Sequence, residues 1–95
     1  MKKVTLGKTG FVVNKNGFGA LPIQRISKED AAYLLRKAFD NGITYFDTAR
    51  FYTDSEEKMG YALSDIRDKV IIATKTAATN VTDFWKDLET SLGLL

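Results

Sequence analysis

Ninety-five residues, 44% hydrophobic and 27% charged, are enough for one modest domain of ordinary globular composition and too few for two. A chain of this size buries only about two-thirds of the surface its unfolded form exposes, so its stability margin is small. The net charge is +2, and Lys and Arg are spread along the chain with no long basic run. That excludes the electrostatic footprint of a nucleic-acid partner or a polybasic membrane surface.

The chain has no cysteine and no histidine. Disulfides, thiolate metal sites and Cys nucleophiles are therefore absent, and so is the commonest general base and metal ligand. No metal site is expected. Lys2 and Lys3 carry the charge of a secretory leader, but no apolar stretch follows them, and no run approaches membrane-spanning length. A soluble, unprocessed, cytoplasmic protein is the expectation.

In chain order, Val4-Thr5-Leu6 and Phe11-Val12-Val13 flank Gly7-Lys8-Thr9-Gly10, which predicts a β-hairpin over 3–13. A short strand of small residues follows at Gly17-Phe18-Gly19-Ala20, then a loop over 21–25. Ser27 with Asp30 three residues on resembles a capping box for a first helix. Ala31, Leu34, Leu35, Ala38 and Phe39 give that helix one apolar face, and Asn41-Gly42 stops it.

Ile43 to Phe46 is a second strand. Asp54 or Ser55 caps a second helix, with Glu56 and Glu57 in its first turn, where the helix dipole favours them. Met59, Ala62, Leu63 and Ile66 form its buried side. Val70 to Thr74 lacks polar alternation, as a strand covered on both faces does. Thr79 or Asn80 opens a third helix, with Val81, Phe84, Trp85, Leu88 and Leu92 on one side.

The order is a hairpin followed by three β-α units, 16–42, 43–69 and 70–95. Gly19 to Asp47 and Asp47 to Lys75 are each 28 positions, the length of one such unit. This alternation predicts a parallel sheet with right-handed crossovers, either an open doubly wound sheet or part of a barrel. A closed barrel needs roughly 250 residues, so three units could be only part of one.

Chemistry in such folds collects at the carboxyl ends of the strands. Asp47 and Lys75 both stand there, on neighbouring strands about 5 Å apart, and Tyr52 follows Asp47 in the next loop. A carboxylate beside an ammonium keeps it charged and in place. A fixed cation beside a phenol favours the phenolate. A phenol so tuned can give a proton to a developing alkoxide, or take one in reverse. Each residue alone also fits a humbler role: a loop-forming Asp, a packing Tyr, a solvated Lys.

Several stretches carry a family resemblance. They are Leu6-Gly7-Lys8-Thr9-Gly10, Gly17-Phe18-Gly19, Asn41-Gly42-Ile43-Thr44-Tyr45-Phe46-Asp47-Thr48-Ala49, Tyr52 with Ser55-Glu56, Gly60, and Val70-Ile71-Ile72-Ala73-Thr74-Lys75. Ser91-Leu92 adds a weaker match. On these residues the chain resembles the N-terminal part of an aldo-keto reductase, over nearly its whole length. The segment Phe18-Gly19-Ala20-Leu21-Pro22-Ile23-Gln24-Arg25 is more similar to a prokaryotic branch.

The resemblance implies a partial TIM (β/α)8 barrel over 1–95, opened by a hairpin that caps its bottom. It implies NADPH as cofactor and reduction of a small aldehyde or ketone to an alcohol. By position, Tyr52 becomes the general acid, Lys75 its activator and Asp47 the residue holding Lys75. Gly19 and Ala20 border the nicotinamide by backbone approach, and Asp47 also reaches the cofactor's ribose side. The family's catalytic histidine and most of its phosphate-binding loops lie beyond the matched segment. The 95-residue chain alone is then expected to bind cofactor weakly or not at all, to be inactive, and to self-associate through exposed sheet edges.

Two other classes compete. One is a truncated, non-catalytic piece that acts by association. The other is a small Rossmann-type nucleotide-binding domain, since Gly17-Phe18-Gly19-Ala20-Leu21-Pro22 approaches G-x-G-x-x-G. Pro22 at the third glycine position and a helix beginning only near Ser27 count against the latter.

Overall fold

The computed structural model describes residues 2–95; Met1, at the start of the 1–95 span, lies outside the described residues. Strands β1 (Lys3–Thr5) and β2 (Val12–Asn14) pair antiparallel, with Val4 opposite Val13. The Leu6 N–H donates to the Phe11 carbonyl at 2.9 Å, and the Thr9 hydroxyl donates back to Leu6, closing the loop. Gly10 takes φ +80°, a left-handed value that glycine adopts without a Cβ penalty.

Three further strands, β3 (Phe18–Gly19), β4 (Tyr45–Asp47) and β5 (Ile71–Ala73), form a parallel sheet in that order. Gly19 pairs with Asp47, and Asp47 pairs with Ala73. The first register therefore matches the 28-residue period, but the second is two residues shorter. Lys75 stands two positions beyond the rung it would share with Asp47.

Strand alternation sorts the side chains onto two faces. Phe18, Phe46 and Ile72 turn toward the helices and join a core of Ile23, Leu35, Met59, Leu63, Ile66 and Val70. Gly19, Asp47 and Ala73 lie on the opposite face, outside the helix-packed core of the described residues. That face also requires Gly17, where an added Cβ would stand 3.1 Å from the Tyr45 ring.

Helix α1 (Lys28–Asp40) begins as its sequence implies: the Ser27 hydroxyl accepts from the Asp30 N–H at 3.1 Å. Ala31 and Leu35 are fully buried, and Ala38 and Phe39 half-buried. Leu34 is 44% exposed, so the predicted apolar face is one position too wide. The segment Leu21–Arg25, expected as a loop, is a short 3-10 helix, as is Ser64–Lys69.

Helix α2 (Ser55–Leu63) buries Met59, Ala62 and Leu63. Asp54 stands at its N-cap position, yet its side chain makes no capping bond. The carboxylate instead pairs with Lys58 at 3.1 Å. Lys58 is itself buried, and its ammonium donates to the carbonyls of Ile23 and Ile26 at 2.9 and 2.7 Å. The aliphatic stem crosses the core edge while the charge satisfies the carbonyl end of the 3-10 turn. This ties the loop after β3 to α2.

Helix α3 (Val81–Leu94) is capped by the Asn80 side chain, which accepts from Asp83 N–H at 2.8 Å. Its apolar side is not buried: Val81, Trp85 and Leu92 are 72, 55 and 72% exposed. The only side chain it buries fully is Ser91. β5 is likewise only half-buried rather than covered on both faces, because nothing described pairs with its outer edge. Among the described residues no helix is long and apolar enough to cross a membrane.

Removing the Lys58 charge should loosen the loop after β3. Lys58→Met removes the ammonium donor from the Ile23 and Ile26 carbonyls, with an expected loss of about 1–3 kcal/mol in urea unfolding. An unchanged midpoint would refute that anchor. The Lys58 hydrogen bond also holds the Asp54 carboxyl below its ordinary value of 3.8. A depressed carboxyl stabilises the fold above its unfolded pKa, and the effect fades as pH falls through the folded one. The stability gap between wild type and Asp54→Asn should therefore close in acid below that value, as pH-dependent melting would record.

Candidate active site

The uncovered face of the sheet ends in a rim formed by Gly19, Asp47 and the residues just past them. Backbone bonding continues above the strands: Thr48 N–H donates to Ala73 at 2.8 Å and Arg50 N–H to Lys75 at 2.9 Å. The loop after β4 is thereby stitched to the end of β5. Because Lys75 is two residues beyond Ala73, alternation returns it to the face that bears Asp47.

The two-residue offset sets Lys75 just above Asp47, and its side chain reaches back. The ammonium donates to both Asp47 carboxylate oxygens, at 3.2 and 3.0 Å, and to the Thr48 carbonyl. It also lies 5.3 Å from the centroid of the Tyr52 ring, within cation–π range. The structure thus brings together Asp47, Lys75 and the Tyr52 ring. Lys75 and Asp47 are 43 and 41% exposed. An ion pair so wet adds little net stability, so its consequence is the placement of the ammonium.

Tyr52 rides on a tight loop. Its N–H donates to Ala49, and its carbonyl accepts from Ser55 N–H at 2.8 Å. Thr53 next to it adopts φ +43°, an uncommon value for a β-branched residue. Its hydroxyl donates to the Gln24 side chain at 2.9 Å. Phe51 meets the Tyr52 ring edge-on at 5.2 Å.

Of the two residues expected beside the nicotinamide, Gly19 offers open space: a Cβ built there meets nothing within 4 Å. Ala20 is wholly buried. Its N–H donates to the Asp47 carbonyl at 2.8 Å, and its carbonyl accepts from Ser55. In this arrangement Ala20 forms the wall behind the rim and presents no surface to a ligand. Beside Lys75, a cleft of about 170 Å³ opens toward α3 and is lined by Thr74, Thr76, Phe84 and Asp87. The Thr76 hydroxyl donates to the Asp87 carboxylate across it.

Sequence reasoning missed the polar layer beneath the rim. Thr48 and Ser55 are fully buried, with hydroxyl oxygens 2.7 Å apart. Glu56 is 1% exposed and receives Arg50 at 2.6 Å and Thr74 at 2.7 Å on separate oxygens. The expectation for Glu56 and Glu57 was the helix dipole alone. A signal was present in the stripe itself. Ser55 and Glu56 stand four and three residues before Met59, so the buried side of α2 necessarily includes them. No group of acidic residues among those described could hold a metal ion.

Comparisons with known proteins agree with this architecture. A profile described as the aldo/keto reductase family matches residues 15–92. The chain is 37% identical over 83 residues to probable aldo-keto reductase 1 of Glycine max, covering 79% of this chain and 24% of that protein. It is 39% identical over 79 residues to L-galactose dehydrogenase of Arabidopsis thaliana, covering 74% and 25%. An aldo-keto reductase from Bacillus halodurans, solved in a holo form, superposes with a TM-score of 0.85 at 28% identity. It covers all of this chain and 36% of its own. The chain belongs to the aldo/keto reductase family. Its fold is part of that family's TIM barrel, and it spans about a quarter of the length of these curated relatives.

The buried hydroxyl pair yields a clear test. Ser55→Ala strands the Thr48 hydroxyl and should cost about 1–3 kcal/mol in chemical unfolding, whereas replacing both, with Thr48→Val added, should recover most of it. If the double variant is no more stable than the single one, the pair is not what ties the loop to the wall.

Proposed function

We propose that this chain carries the proton-donating part of an NADPH-dependent reductase that converts aldehydes or ketones to alcohols. The observation that supports it most is a single one: the Lys75 ammonium is held by Asp47 while it faces the Tyr52 ring. Family membership supplies the reaction class, and the relative named L-galactose dehydrogenase is an oxidoreductase by name.

The fit of the cofactor rests on Gly19. The open space at its Cβ position, across from Asp47, suits the close backbone approach of a flat ring. Gly19 and Asp47 would border the nicotinamide and its ribose. When bound, the nicotinamide supplies a hydride to the carbonyl carbon.

The chain's own residues then manage the proton. Tyr52 donates its phenolic proton to the carbonyl oxygen as negative charge develops there. The phenolate left behind is stabilised by the adjacent Lys75 ammonium. Asp47, through two carboxylate oxygens, holds that ammonium over the ring. Because the rim is open, water can return the proton to Tyr52. The small net charge fits a small-molecule enzyme.

A second reading draws on the other exposed feature. Among the described residues one edge of β5 is unpaired and the apolar side of α3 is exposed, features that would favour association with other chains. By itself, the 95-residue chain should bind NADPH weakly, fail to turn over, and sediment as more than a monomer at micromolar concentration. A compact monomer would rule out the associating form.

In the reductase that carries these residues, Tyr52→Phe should lower kcat by about 10²- to 10⁴-fold. Its NADPH affinity, measured by fluorescence titration, should stay nearly the same. Undiminished carbonyl reduction by that variant would remove Tyr52 from its assigned role.

A further inference from the structure

Glu56 is the most buried charged group in the described chain, and the proposed chemistry does not use it. Its Oε1 accepts from Arg50 at 2.6 Å and its Oε2 from the Thr74 hydroxyl at 2.7 Å. These donors are not arbitrary. Arg50 lies two residues before Tyr52 in the same tight loop, and Thr74 immediately precedes Lys75. One carboxylate, fixed on the first turn of α2, therefore grips both segments that carry the phenol and the ammonium.

We propose that Glu56 is a positioning residue: by holding Arg50 and Thr74 on separate oxygens it sets the separation of Tyr52 and Lys75. The inference rests on the reading of those two groups as the proton-donating set. Three features carry it. The carboxylate is excluded from water, so its charge-assisted bonds are strong and directional. Its two oxygens are occupied by different partners, so movement of one segment is felt by the other. The backbone link from Arg50 N–H to the Lys75 carbonyl, at 2.9 Å, closes the connection on the far side. Without Glu56 the loop would be tied to the β5 side only near its start, through Thr48 and Arg50, and not through the helix that follows Tyr52.

Asp47 acts differently. It fixes where the ammonium points, whereas Glu56 fixes where the phenol's loop lies relative to it. Glu57, its neighbour, is exposed, which makes it a built-in control.

The test is an NMR measurement on the full chain with tyrosine and lysine labelled. In wild type, Tyr52 ring protons and the Lys75 ε-methylene should give a cross-peak. Glu56→Gln, which keeps the side chain's size but removes its charge, should lose that cross-peak while contacts of Phe46 with the core remain. Thr74→Val should do the same, and Thr74→Ser, which keeps the hydroxyl, should restore it; Glu57→Gln should change nothing. A cross-peak that persists in Glu56→Gln and Thr74→Val overturns the proposal. So does loss of the core contacts together with the cross-peak in both variants, since Glu56 would then serve only the fold. Absence of the contact in wild type would instead count against the proton-donating reading itself.

Discussion

One lysine organises the functional end of this chain. The Lys75 ammonium reaches the Asp47 carboxylate, the Thr48 carbonyl and the face of Tyr52 at once. It does so only because β5 is offset by two residues against β4. An even offset keeps Lys75 on the open face of the sheet. A slip of one residue would turn it toward the helices and carry the charge into the apolar core, a change no rotamer could repair.

The same alternation separates stability from chemistry. Odd-numbered strand positions such as Gly19, Asp47 and Ala73 meet solvent, while Phe18, Phe46 and Ile72 meet the helix layer. Most of the folding free energy comes from that helix side, where apolar surface leaves water. The rim pair is too exposed to matter much for stability. It can therefore be tuned for placement without weakening the fold. Between these layers lies a third, made of buried polar groups: Thr48 with Ser55, Glu56 with Arg50 and Thr74, and Lys58 with the carbonyls of the 3-10 turn. All three ties run from α2 to the segments leaving the strand ends, so this one helix positions the rim.

The uncovered surfaces follow from how much of the family's barrel the chain spans. Helix α3 shows an amphipathic sequence but buries almost none of its apolar side, and among the described residues β5 has one unpaired edge. In a closed barrel each strand has two neighbours and each helix packs between two others. Gly60 shows how close packing is where it does occur. An added Cβ there would lie 1.8 Å from the Leu94 carbonyl oxygen, so α2 and the end of α3 touch through backbone.

Much of this was legible without coordinates. The hairpin, the alternation of strands and helices, the Ser27 and Asn80 caps, and the buried side of α2 are local patterns, written in residues a few positions apart. Asp47, Tyr52 and Lys75 were visible as strand-end and loop residues of complementary chemistry. What tertiary structure alone decided involves partners distant in sequence. The register that places Lys75 above Asp47, the burial of Ala20, the exposure of Leu34 and of the α3 face, and the use of Glu56 and Lys58 as internal anchors all depend on which segments meet. A sequence reports which face of an element is apolar, because that is periodic. Only the packed chain determines what each face meets, because desolvation belongs to pairs of surfaces rather than to residues.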